Sequence, residues 1–243
     1  MDHAPEQPRA AVGLRTARAI DYVVSSPARK LDIREANEAR ILRAAEKTFA
    51  LHGFRGATTE GIASEAGLPK ANVHYYFKTK ANLYRQVLKS ILEDWMEAAA
   101  AFEADEDPER ALTMYITAKM QFSRQRPYGS RVWASEIMRG APVMERFLGT
   151  TLKAWVNARV RTIRSWISAG KIRAVDPESL LYMIWAVTQH YADFERQIAI
   201  LNGGDEFDER QYREKVEQVV RLILGSVGLE ATETVRTRET ASA

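Results

Sequence analysis

Two apolar rows, each repeating every fourth residue, dominate the first half of the chain. Leu83, Val87, Ile91 and Trp95 form one, and Tyr84, Leu88, Leu92 and Met96 the other. A four-residue repeat lines one face of an α-helix, whereas a half-buried strand needs alternation by two. The same spacing recurs at Ile41, Leu42, Ala45 and Phe49, and no Val/Ile/Thr-rich alternating run bounded by hairpin turns occurs. The expected fold class is all-α.

Boundary signals divide this helical chain. A helix is expected from Glu35 to His52, stopped by Gly53, with Phe54 folding back onto Phe49 and Ile62. The tripeptide Asp-Pro-Glu occurs at Asp107–Glu109 and again at Asp176–Glu178. It places a capping carboxylate, a proline at the first helical position and an acid in the first turn. Helices are expected at Pro108–Arg124, Ser130–Arg139, Pro142–Ala169, Pro177–Leu201 and Asp208–Leu224. Residues 1–33 read as a disordered arm whose arginines are diluted by acids, and residues 228–243 as a frayed polar tail. Between them lie a small head, 34–80, and a larger unit, 81–227.

The head holds the most informative stretch, Thr58 to Lys80. Thr58 or Thr59 caps a short helix carrying Ile62, Ala63 and Ala66, and Gly67 supplies a turn with positive φ. Val73 and Phe77 then form the inner face of a second short helix, leaving Lys70, Ala71, Asn72, His74, Tyr75 and Lys78 outside. From Ala66 to Lys80 there are three lysines and no carboxylate. Two helices so joined, the second presenting a basic outer face, read as a helix-turn-helix for a DNA major groove.

Other classes fare worse. The formal net charge of +3 is small, so a nucleic-acid signal has to be local. The absence of cysteine excludes disulfides, thiolate zinc sites and a cysteine nucleophile. The four histidines are scattered, so no metal site and no cofactor are expected. His190 with Asp193, or Glu136 with a basic neighbour, come with no placed nucleophile, which leaves a helical enzyme as a remote alternative. With no secretory signal pattern and no long apolar run, the chain is expected in the cytoplasm, with no membrane partner.

Residues 41–88 resemble the N-terminal signature of the TetR family of transcriptional regulators, in AAEKTFALHGF, the Thr58-Thr59 pair and IASEAGLPKANVHYYFKTKANLY. The resemblance implies a three-helix DNA-binding head and a helical effector-binding and dimerisation domain, acting as a homodimer on a palindromic double-stranded operator. It also implies roles: Thr58 and Lys80 at the phosphate backbone, Lys70 and Asn72 at base edges, Ala71 on a thymine methyl, and His74, Tyr75 and Lys78 at phosphates. Two positions depart from the pattern. Pro69 stands where a capping serine or threonine is usual, and His74 where tyrosine is.

Trp185 and Gln189 are one helical turn apart, an aromatic plate beside an amide, which suits a flat ring with a lactam edge. The segments SILEDW, EIMRGAP, SAGKIRAVDPE and IWAVTQHYADF resemble the pyrimidine-utilisation regulators within the family. That resemblance points to a pyrimidine effector, uracil or thymine, held by Trp95, Trp185 and Gln189, with Tyr115 and Trp133 as further contacts. The implied function is a repressor released by that ligand. The alternative is a regulator of the same family sensing a drug, an acyl compound or another metabolite.

Overall fold

A computed structural model describes residues 27–100 and 107–230, and every regular element among them is helical. The chain divides into a short N-terminal unit, Met1–Asn37, described only from residue 27, and a main unit, Glu38–Ala243. The elements are α1 (Pro27–Gly56), α2 (Thr59–Ala66), α3 (Lys70–Phe77), α4 (Lys80–Ala100), α5 (Pro108–Gln125), α6 (Pro127–Met138), α7 (Glu145–Phe147), a π-helical turn (Leu148–Leu152), α8 (Lys153–Ser168), α9 (Pro177–Asp193), α10 (Glu195–Leu201) and α11 (Glu209–Ser226). Residues 27–33, expected in the disordered arm, are helical: α1 starts with a proline in its first turn, a position proline tolerates. The rest of that arm and residues 231–243 of the expected tail lie outside the described residues.

Local chemistry explains most boundaries. Gly53 breaks α1 with φ +66°, a conformation that favours glycine. Asp107 accepts from the Glu109 amide and Asp176 from the Ser179 amide, so both Asp-Pro-Glu sequences start helices. At α11, Asp208 and Gln211 form a reciprocal capping box.

Three boundaries differ from the periodicity reading. Helix α6 begins at Pro127, immediately after α5 turns at Arg126 (φ −131°, ψ 57°). The single helix expected over Pro142–Ala169 begins at Glu145 and passes through the π turn. The helix expected to reach Leu201 breaks at Phe194. There Arg131 donates to the Ala192 carbonyl and pairs with Glu195, giving the end of α9 a partner that no local repeat reveals.

Two apolar clusters build the core. One joins Ile41, Phe49, Ile62, Val73 and Phe77 to Leu83, Val87, Leu88 and Ile91 of α4 and to Val132 and Trp133 of α6. The packing therefore shows no gap at residue 80, where the sequence reading divided the chain. A three-helix head buries too little by itself, and α4 completes it. The other cluster unites α5, α8, α9 and α11 through Leu112, Ile116, Ile163, Leu181, Ile184 and Leu224. Between the head and α6, the buried Glu136 carboxylate accepts from Tyr84 Oη, the Val143 amide and Arg139, so it is a structural anchor.

Candidate nucleic-acid interface and ligand pocket

Helix α2 starts at Thr58, whose extended backbone lets its hydroxyl accept the Gly61 amide at 3.0 Å; Thr58, not Thr59, is the cap. The helix ends on Gly67 at φ +60°, with its amide on the Ala63 and Ser64 carbonyls. Arg40 reaches across from α1 to take the Ala66 carbonyl at 2.8 Å. Helix α3 starts from Pro69 with no side-chain cap, as the departure at that position implied.

The outer stripe of α3 consists of Lys70, Ala71, His74, Tyr75 and Lys78, all exposed, with Tyr75 71% accessible. The 3–4 residue spacing of Lys70, Ala71, His74 and Tyr75 puts them on one face, and Lys78 caps the end of the helix with φ +55°. Lys70 is held by Glu60 of α2 in an exposed ion pair, which lowers the Glu60 carboxyl below its usual range. Such surface pairs are weak, so the pair can open for another anion. Two expected DNA contacts sit differently. Asn72 is half-buried, off the exposed stripe. Lys80 turns inward: its ammonium donates to the Ala57 carbonyl at 2.8 Å and lies 4.9 Å from the Phe54 ring centroid. This ties the start of α4 to the end of α1, so Lys80 fastens the head in this structure.

All five residues expected at a ligand, Trp95, Tyr115, Trp133, Trp185 and Gln189, line one cavity, together with Lys119, Trp155, Leu92, Met96 and Leu152. They come from α4, α5, α6, α9 and the π turn–α8 segment. About 70 Å³ is open to the centre of a water-sized sphere. A water needs ~10–15 Å³ on that measure, so the cavity holds a handful of waters or one small ring. A larger open groove of about 650 Å³, lined by Glu46, Asp94 and Arg126, lies elsewhere and is filled with ion pairs.

The walls are aromatic. Trp95 meets Trp133 edge-on at 4.9 Å, and Trp155 lies 6.2 Å from Trp185. The Trp185 indole N–H donates to Tyr115 Oη at 2.8 Å. Burial pushes the Tyr115 phenol well above its ordinary range, so it stays protonated. Lys119 is the residue that sequence reasoning missed. It is 6% exposed, its ammonium sits 4.6 Å from the centre of the Trp95 ring, and burial pushes its pKa down to about 8. A signal was present: Lys119 is one turn from Tyr115 on the face of α5 that also carries Leu112 and Ile116.

The residues weighed as catalytic make structural contacts. His190 stacks on Phe194 at 4.7 Å, and Asp193 accepts from Ser130 at 2.6 Å. No cluster of metal-ligating side chains occurs among the described residues, and no described helix is long and apolar enough to cross a membrane.

Comparisons with known proteins agree with this geometry. Residues 41–87 match the family described as bacterial regulatory proteins, tetR family, and residues 88–230 match the YcdC-like protein C-terminal region. The HTH-type transcriptional regulator RutR of Escherichia coli K12 is 40% identical over 192 residues, covering 79% of this chain and 91% of the relative. The HTH-type transcriptional repressor NicS of Pseudomonas putida is 28% identical over 136 residues, 56% of this chain and 63% of the relative. Among solved structures, the ketosteroid transcriptional regulator KstR2 of Mycobacterium tuberculosis superposes with a TM-score of 0.65 at 17% identity, covering 78% of this chain and 94% of that one. A putative fatty acid metabolism regulator of Clostridium perfringens does so with 0.62 at 22%, covering 79% and 100%. At those identities the superpositions establish the fold. Together, the matched segments, the RutR identity and the helix-turn-helix geometry show that this chain belongs to the TetR family of transcriptional regulators and is not an enzyme.

Proposed function

We propose that this regulator is a dimeric repressor that grips a palindromic operator through α3 and releases it when a pyrimidine such as uracil or thymine enters the α4–α5–α6–α8–α9 cavity. One observation carries the ligand class: a small, tryptophan-walled cavity with Gln189 in its lining. An aromatic plate stacks on a flat ring, and an amide matches a lactam's carbonyl and N–H. The size argues against the alternative of an acyl chain or a steroid, which need far more than the space of a few waters. The likeness to pyrimidine-utilisation regulators supports the same choice. Dimerisation rests on Tyr182 and Met183 of α9 and Leu222 of α11, large side chains left exposed on the last two long helices. The expected cytoplasmic setting is where an operator and a free nucleobase meet.

The coupling follows from α4. Its Trp95 forms a cavity wall, while Lys80 at its start is fastened to the end of α1. A ligand pressing on Trp95 tilts α4, moves the head it completes, and so changes the spacing of the two α3 helices in a dimer. Ligand and DNA then prefer different states, and each must weaken the other's binding by the same factor. Calorimetry of uracil against the protein, with and without operator duplex, tests this. Weaker uracil binding in the presence of operator is expected. Equal affinity would refute the coupling, and no binding at all would refute the pyrimidine.

A further inference from the structure

The candidate effector cavity is lined by a cation, Lys119, that forms no ion pair among the described residues. Lys119 is buried, yet no hydrogen-bond acceptor among the described residues takes its ammonium protons; its close partner is the Trp95 ring. No carboxylate among the described residues lines the cavity. Asp193, whose charge Lys119 feels, is beyond ion-pair reach and accepts from Ser130. The Trp185 N–H is already spent on Tyr115. The polar side chains of the lining include Lys119, which only donates, and Gln189, which does both, beside the Tyr115 hydroxyl and the Trp155 indole. An ammonium at the wall of a small aromatic cavity is poorly hydrated, so a molecule that brings an acceptor is favoured there.

We infer that Lys119 is the specificity-determining residue of the cavity and that it selects planar rings presenting a carbonyl or anionic oxygen, rejecting rings that present an exocyclic amine at that edge. The assignment rests on the pyrimidine reading and sharpens it to oxo-pyrimidines. A ring carbonyl accepts one ammonium proton while the neighbouring lactam edge pairs with Gln189. An amino group in the carbonyl's place would set donor against donor. It would leave both unsatisfied, the arrangement by which polar sites discriminate most strongly. Trp95 on the far side of the ammonium holds it by its π face, so the cation is positioned before the ligand arrives.

The test is calorimetric titration of wild type, Lys119→Met and Lys119→Gln with uracil and cytosine, and with benzoate and benzamide as a planar pair unrelated to pyrimidines. Cooperative melting of each variant establishes that it is folded. Wild type is expected to bind uracil well above cytosine. Lys119→Met should lose roughly 10–100-fold in uracil affinity, the worth of a hydrogen bond to a charged group, and most of the discrimination. Lys119→Gln, which keeps a donor without the charge, should fall between. Uracil binding unchanged in Lys119→Met overturns the role of Lys119 and leaves the pyrimidine reading standing. If wild type binds benzoate but neither nucleobase nor benzamide, and Lys119→Met loses it, the pyrimidine reading falls and the acceptor selection holds. If none of the four binds, both fall.

Discussion

The two working surfaces of this protein are built in opposite ways. The DNA-reading face is local: four exposed residues of one eight-residue helix and its C-cap Lys78, set behind a threonine-capped helix and a left-handed glycine turn. The candidate effector cavity is non-local, with walls from segments spread between residues 92 and 189 and a buried lysine in its lining. A local, exposed surface tolerates change because water stands in for lost partners. A buried, assembled site cannot, so substitutions there act through desolvation and are large.

The largest effect should come where the two regions are joined. Arg126, at the turn between α5 and α6, pairs with Glu46 of α1 and Asp94 of α4. Arg126→Met leaves the buried Glu46 carboxylate unpaired, and a loss of about 3–5 kcal/mol in urea denaturation is expected. A loss below about 1 kcal/mol would mean that water already shares this site, against the contrast drawn here.

Next comes Lys119, where burial has the opposite sign. Holding its pKa down from 10.5 to about 8 costs the folded protein roughly 3 kcal/mol at neutral pH. Lys119→Met should therefore melt higher than wild type at pH 7. The folded chain binds this proton less tightly than the unfolded chain, so the penalty is complete below pH 8 and fades between about 8 and 10.5. The charged or titratable groups near it, Asp193 on α9 and Tyr115 on α5, remain in the variant, so the gap in melting temperature should close over that window. A gap constant from pH 7 to 10 would contradict the buried charge. A residue that weakens the fold yet lines a cavity fits a binding role better than a packing one.

Smaller effects should separate the two lysines flanking the end of α3. Lys78→Ala, on the exposed stripe, should reduce the slope of log affinity against log salt by about 1 in operator titrations, with an unchanged melt. Lys80→Met should lower the melting temperature through the lost Ala57 carbonyl contact and leave that slope alone. The same slope change for both would restore Lys80 to the phosphate backbone. Smallest of all, Glu60→Ala should leave the melt as it was and modestly tighten operator binding, because it frees Lys70 and removes an acid near the DNA.

Much of this was readable beforehand because it is written locally. The helix starts at Asp107, Asp176 and Asp208, the stop at Gly53 and the turn at Gly67 each depend on residues within a few positions. Trp185 and Gln189 could be paired because helical spacing puts them on one face. The break at Phe194 was not readable, because the Arg131 guanidinium that meets the Ala192 carbonyl lies 61 residues away. The inward turn of Lys80 was equally hidden, since its carbonyl partners, Arg55 and Ala57, lie more than twenty residues away at the end of α1 and just past it.

By itself, then, the sequence determined an all-helical chain, the positions of most helix ends, and a helix-turn-helix with a basic outer stripe, since propensity, capping and periodicity act over one or two turns. Only the tertiary structure decided that α4 completes the head's core, that Lys80 turns inward onto a backbone carbonyl, and that a lysine lies buried among tryptophans. Those outcomes depend on which faces meet, and a side chain's exposure is set by the packing of distant elements.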